Sequence, residues 1–278
     1  MRLLTIGMRR LLWLAGFLVF LAGVQLFVFS ERTAELFAWT IDIPLTAAFL
    51  GAGYWASVVL EWMSARQRVW VHARISVPAV FVFTSLTLVA TLLHLDLFHL
   101  GSEFAPVTRA ATWGWLAIYV LVPPAMALLL VVQARAPGDD PARTAPLPRW
   151  ISGALVAQAA VFLALGSYLF IAPERAASLW PWPLTPLTGR AVGAWVFSIG
   201  LAAAHSKLEN DLIRMRPAAF SYLALGVLEL LALARYRDTV LWGEPQAAAY
   251  LACLASMLVV GAVVIPAASK QADLATEL

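Results

Sequence analysis

Metal- and proton-active side chains crowd together at one place in the chain, His94-Leu95-Asp96-Leu97-Phe98-His99-Leu100, with Glu103 just beyond. Asp96 and His99 are three residues apart and His99 and Glu103 four apart, so a single helical face would present all three. Carboxylate with imidazole is the ligand set of zinc and non-haem iron. A metal held by His94, Asp96 and His99 is therefore one reading, although the spacing matches no strong metal signature. The other reading makes His94 and His99 hydrogen-bonded interfacial residues and pairs Asp96 with a cation.

Glu229 is the next candidate. It stands about twelve residues into an apolar run flanked by leucines. An ionisable group inside hydrocarbon is costly and marks a functional site by default. Either it is neutral or paired with an arginine purely to hold a bundle together, or it belongs to a proton- or cation-coupled site. Glu61 reads as an end residue snorkelling toward nearby arginines. No nucleophile motif, glycine-rich phosphate loop or paired catalytic carboxylates occur, and no cofactor can be named. The single cysteine, Cys253, excludes an intrachain disulfide and a thiolate metal cage.

The elements that must position these residues are membrane spans. The 278 residues are 62% hydrophobic and 13% charged, against about 25% charged in soluble chains. Twelve Trp and fourteen Phe fit a protein with membrane interfaces. Residues 11–29, 44–63, 77–97, 113–132, 151–171, 190–205, 217–234 and 247–265 approach the roughly 20 residues that cross a bilayer. Residues 134–149 form the one clearly polar stretch, with a disordered-looking Pro137-Gly138-Asp139-Asp140-Pro141 centre.

An internal repeat organises these spans. Glu31-Arg32-Thr33-Ala34-Glu35-Leu36-Phe37-Ala38-Trp39, then Pro44-Leu45-Thr46 and Gly51-Ala52, returns as Glu174-Arg175-Ala176-Ala177-Ser178-Leu179-Trp180-Pro181-Trp182, Pro186-Leu187-Thr188 and Gly193-Ala194. Ten of 19 aligned positions match. Loops on the N-terminal side carry 13 basic residues and the opposite loops 6, which puts both termini in the cytoplasm. The expected fold is therefore an all-α integral membrane bundle of eight transmembrane helices. It is built as two parallel four-helix repeats, 1–133 and 150–268, joined by the 134–149 linker.

On that topology both copies of the motif face outward. Leu36, Phe37 and Trp39, like Leu179, Trp180 and Trp182, would lie at headgroup depth as short amphipathic feet. They would be aromatic anchors, with Glu31 and Arg32 paired locally, or the roof of a cleft between the halves. In the second case Glu31, Arg32, Trp39, Thr46, Glu174, Arg175, Trp182 and Thr188 would bind a ligand, with helix N-termini favouring anionic groups. Gly51, Gly53 and Gly193 would permit close approach by a helix or ligand. Aligning Pro78 with Pro217 sets Asp96 opposite Arg235 and His99 opposite Asp238, so Asp96 and Arg235 are expected to form an ion pair.

The stretches Phe37-Ala38-Trp39-Thr40-Ile41, Pro44 to Tyr54 and Leu92 to His99 resemble a group of uncharacterised multi-span bacterial membrane proteins frequent in actinobacteria. The resemblance covers most of the chain and implies a bacterial inner membrane and an eight-helix bundle, with no activity attached. The expected partner is the lipid bilayer, with a membrane-protein partner or second copy left open. The scattered arginines make no nucleic-acid patch. Three functions compete. A transporter or permease predicts a polar cleft between the halves. A structural or accessory subunit predicts a packed interior with no cavity. A membrane enzyme predicts convergence of His94, Asp96, His99 and Glu103 on one pocket. Transporter-like leads, since such repeats commonly build a central site.

Overall fold

The computed structural model describes residues 1–276, and eight helices of at least 18 residues carry the chain. They are α1 (Ile6–Gly23, prolonged by a π-helical turn, Val24–Val28), α2 (Pro44–Ala65), α3 (Ser76–Leu93) and α4 (Pro106–Ala134). Then follow α5 (Arg149–Ile171), α6 (Pro186–Glu209), α7 (Leu212–Arg235) and α8 (Pro245–Thr276). Among the described residues no strand forms; two isolated bridges join Leu3 to Val69 and Trp39 to Phe98.

Local chemistry sets the helix ends. Prolines open α2, α4 and α6, where their missing N–H is unneeded. Asp211 caps α7 by accepting from the Ile213 and Arg214 amides, and Asn210 ends α6 in the left-handed region at φ 45°.

Seven of the eight helices are long and apolar enough to cross a membrane. The chain is thus a multi-pass membrane protein. The eighth, α2, is 22 residues long but falls outside that set, and 17 of its residues are buried. Burial is graded across the bundle. In the most apolar stretches of α1, α4, α5 and α8 only 22%, 22%, 33% and 28% of residues are buried, against 50% in α3 and α7 and 72% in α6. Four helices therefore form an inner set (α2, α3, α6, α7), and four wrap them with leucine, valine and aromatic side chains turned outward.

Within the inner set α2 packs on α7 and α3 on α6, while α1 lies against α2 and α5 against α6. Gly51 and Gly193 sit at equivalent crossings. A Cβ there would come within 2.5 Å of the Phe27 amide nitrogen and 2.8 Å of the Phe170 one, so both glycines serve helix packing rather than a ligand. Gly53 instead receives the Trp195 ring.

One end of the bundle gathers the N-terminus, the α2–α3 turn, the linker and the α6–α7 turn. Leu4 N–H donates to Arg68 O and Arg2 N–H to Asp139 O, both at 2.9 Å, and Leu212 N–H donates to Ala145 O at 2.7 Å. The linker centre is not loose, as its composition had implied. Asp140 bonds Arg74 at 2.5 Å, and the Pro141 carbonyl accepts from Arg214 at 2.6 Å. Glu209, buried beneath, accepts from Arg74 and, at 2.7 Å, from Arg214.

The opposite end holds both copies of the repeated motif, and here an expectation fails. Phe37, Trp39, Trp180 and Trp182 are 1%, 3%, 3% and 0% exposed, so they are core rather than interfacial feet. The backbone is extended after each short helical turn. It is held by His99 N–H on Ala38 O at 3.0 Å and Leu241 N–H on Pro181 O at 2.9 Å. Extended chain turns the rings inward, those of the first copy onto Trp115 and Phe98 and those of the second onto Tyr250 and, across the halves, Phe49.

Candidate functional site

The histidine–carboxylate stretch does not assemble a metal centre. His99 is buried, its Nδ1–H donates to Phe37 O at 2.9 Å, and its Nε2 accepts from Thr40 at 3.0 Å, so both ring nitrogens are occupied. His94 Nε2 accepts from Arg190 Nη1 at 2.7 Å, and burial followed by the Arg190 charge holds its ring below the usual histidine value. Asp96 is exposed on a 3-10 turn, Leu95–Leu97. Among the described residues no cluster of three metal-ligating side chains exists.

The expected Asp96–Arg235 pair is also absent. Arg235 Nη2 lies 3.4 Å from Glu31 Oε1, and its Nη1 donates to Phe27 O at 3.0 Å. The proline alignment was out of register. The equivalent closing turns are Leu95–Leu97 and Arg237–Thr239, an offset of 237 − 95 = 142, whereas the prolines give 217 − 78 = 139. Asp96 therefore corresponds to Asp238 and His94 to Tyr236.

The motif residues of the two copies take part in a structural joint. Arg32 pairs with Glu35 rather than with Glu31, and Glu31 accepts from Tyr236 at 3.0 Å. Glu174 and Arg175 are exposed and join no ion pair among the described residues. Thr46 Oγ1 accepts from Trp182 Nε1 at 2.9 Å. Thr188 closes a capping box with Thr185, so its hydroxyl points back into its own helix end. Trp39 Nε1, the equivalent of the Trp182 donor, is buried without a partner.

What the structure does bring together lies deeper. A cavity of about 90 Å³ opens between the halves, walled by Phe83 and Tyr119 from the first and Trp195, Ser198 and Tyr222 from the second, with Glu61 at its edge. Glu61 is 1% exposed, and its Oε2 has no hydrogen-bond partner. It does not snorkel. Arg66, the nearest basic residue in the chain, is turned over the Trp13 ring at 5.6 Å. Ser198 Oγ and Tyr222 Oη are likewise buried and unpartnered. An unpaired buried polar group costs about 1–3 kcal/mol. All three side chains line the cavity, whose wall is otherwise almost wholly apolar. A water needs roughly 10–15 Å³ of such space, so several waters or a small solute fit.

Glu229, among the candidates picked from sequence, does line a cavity, a second one of about 120 Å³ toward the motif end. Its Oε2 accepts from Tyr250 at 3.0 Å and its Oε1 is unpartnered. No arginine neutralises it. Sequence reasoning missed Glu61, Ser198 and Tyr222. The available signal was the lone carboxyl of the second span, whose counterpart at the 142-residue offset is Ala203.

No protein family, curated protein or solved structure matches the chain.

Proposed function

We propose that the protein is transporter- or permease-like and handles a small solute in the central cavity, between two parallel four-helix repeats, 1–133 and 150–268. The observation that carries this reading is that cavity, lined by helices of both halves and by three side chains, Glu61, Ser198 and Tyr222, that each have a buried polar atom without a partner. A structural subunit would have a packed interior there. An enzyme using His94, Asp96 and His99 would need them on one pocket, and their partners hold them apart.

The parallel arrangement is supported by the paired crossings at Gly51 and Gly193 and by α2 on α7 mirroring α6 on α3. With α2 counted as a span the chain crosses eight times. The 13-to-6 distribution of basic residues then puts both termini and the 134–149 linker in the cytoplasm of a bacterial inner membrane.

The test is water access to the cavity. Ser198→Cys in a Cys253→Ser background, reconstituted in lipid, should react with a charged methanethiosulfonate. Failure of that cysteine to react, in protein that remains monodisperse, would return the interior to the packed-subunit reading.

A further inference from the structure

Two buried carboxyl groups face two separate cavities, and the same two side chains wall both. Glu61 borders the central cavity and Glu229 the second one; Ile199 and Leu225 line each of them. The relative depth of the acids is fixed by a cross-half bond, Ser221 Oγ donating to Ala56 O at 2.9 Å. Glu229 lies eight residues beyond Ser221 toward the motif end, and Glu61 five beyond Ala56 toward the N-terminal end. At about 1.5 Å per helical residue the acids are about 20 Å apart along the bundle, most of the apolar thickness of a bilayer.

The surroundings of each acid are neutral. Tyr119, itself bonded to Tyr54 at 2.6 Å, and Tyr222 share the Glu61 cavity; Tyr250 and Cys253 share that of Glu229. No ion pair among the described residues involves either acid. Each keeps one oxygen unpartnered, Glu61 Oε2 and Glu229 Oε1. Neither cavity brings a second acid beside its carboxyl, so neither has the clustered carboxylates of a calcium site. A proton requires only one carboxyl. Each cavity also has the volume of several waters, and a buried carboxyl group beside such a space is the usual station of an intramembrane proton relay.

We propose that Glu229 and Glu61 are the two protonation sites of a proton path through the bundle, with Ile199 and Leu225 as the closed gate between them. When the gate opens, Glu61 first gives up its proton at the N-terminal end, and the Glu229 proton then passes through water to the Glu61 carboxylate. Glu229 is reprotonated from water at the motif end, which restores both neutral acids. One H⁺ crosses, and nothing is oxidised or reduced. The idea rests on the central cavity being the working site, and it makes the proton the coupling ion.

Proteoliposomes loaded with a pH-sensitive dye, given a pH gradient and valinomycin with potassium, test it. Wild-type protein, its gate closed, should leak slowly. Leu225→Ser should raise proton flux several-fold, and adding Glu61→Gln or Glu229→Gln should return it to the wild-type level. Flux that stays high with both acids replaced, or a folded Leu225→Ser that leaks no faster than wild type, refutes the path. Should Leu225→Ser fail to fold, Ile199→Ala and an infrared measurement decide. Wild-type protein should show two carboxylic C=O bands that shift in D₂O, one lost in Glu61→Gln and one in Glu229→Gln. Bands that resist exchange count against the path. Reactive Ser198→Cys without proton movement would retire the path alone; an unreactive Ser198→Cys would retire the cavity reading with it.

Discussion

Trp182 Nε1 donates to Thr46 Oγ1 at 2.9 Å, a fully buried bond that ties the second half of the chain to the first. The positions related to them by the repeat, Trp39 and Thr188, make no such bond; the Trp39 N–H is an orphan. Thr46→Val strands the Trp182 donor and should lower stability by about 1–3 kcal/mol. Trp39→Phe removes a donor already unpaired and should cost less than Thr46→Val. Thermal unfolding of both variants in one detergent compares them, and equal losses would mean that the bond adds nothing.

Arg235 and Glu31 meet at 3.4 Å with side chains 42% and 61% exposed. A double-mutant cycle on this pair should return roughly 0–1 kcal/mol, the range for exposed ion pairs. The same cycle on Asp96 and Arg235 should be additive within about 0.3–0.5 kcal/mol, as for residues without contact. Coupling larger than that between Asp96 and Arg235 would contradict the observed partners.

Glu209 and Arg214 are 4% and 5% exposed and share a bond of 2.7 Å, with Arg74 as a further donor. Glu209→Gln should destabilise by roughly 3–5 kcal/mol, because it leaves a buried guanidinium without its counter-charge. Arg74 and Arg214 also hold Asp140 and Pro141. The same variant should therefore make the linker around Gly138 more open to limited proteolysis, and an unchanged digestion pattern would argue that the linker is held by other bonds.

His72 and His94 carry the acid sensitivity outside the spans. Burial lowers both, with Arg190 adding to the effect at His94 and Arg214 at His72, against the opposing pull of Asp96 and Asp211. A histidine whose folded value lies below its unfolded one binds protons more readily when unfolded. Its stabilising share is present above the unfolded value, about 6.5, and is lost as pH falls below it. Melting temperature should drop from pH 7 to pH 5, and His72→Asn with His94→Gln should flatten that slope. An unchanged slope would assign the acid sensitivity to other groups.

Intact-cell labelling checks which end of the bundle faces out. In the Cys253→Ser background, Ser178→Cys should react with an impermeant maleimide and Ala142→Cys should not. The reverse pattern would invert the topology.

The helices were legible because each is a long apolar run, but several starts were not: the runs expected from 113, 190 and 217 open earlier, at Pro106, Pro186 and Leu212, where proline or the Asp211 cap begins the helix ahead of its apolar stretch. The side-chain partners were harder to read. Asp96 and Arg235 were matched through prolines, but α7 has 24 residues and α3 has 18, so a register set by Pro78 and Pro217 slips before the closing turns. The tryptophans of the motif were placed at the interface because that is where the residue type collects; whether a ring turns in or out depends on an extended backbone that composition does not reveal. Glu61 was read as an end residue because Arg66 and Arg68 follow it closely. Only the packing of Arg66 over Trp13 shows that the carboxyl has been left to the interior.

The enclosure of α2 has a consequence for how the chain is made. With its glycines, tyrosine and Glu61, α2 is the one long helix outside the membrane-crossing set, and most of it is covered by protein. Two tryptophans fit it to the helix before it. Trp55 and Trp62 fill the notches at Gly23 and Gly16 and donate to the Phe20 and Trp13 carbonyls at 3.2 and 3.3 Å. α2 follows α1 in the chain and rests on it as a hairpin, and its other face meets its partner, α7, only once that later helix has been synthesised.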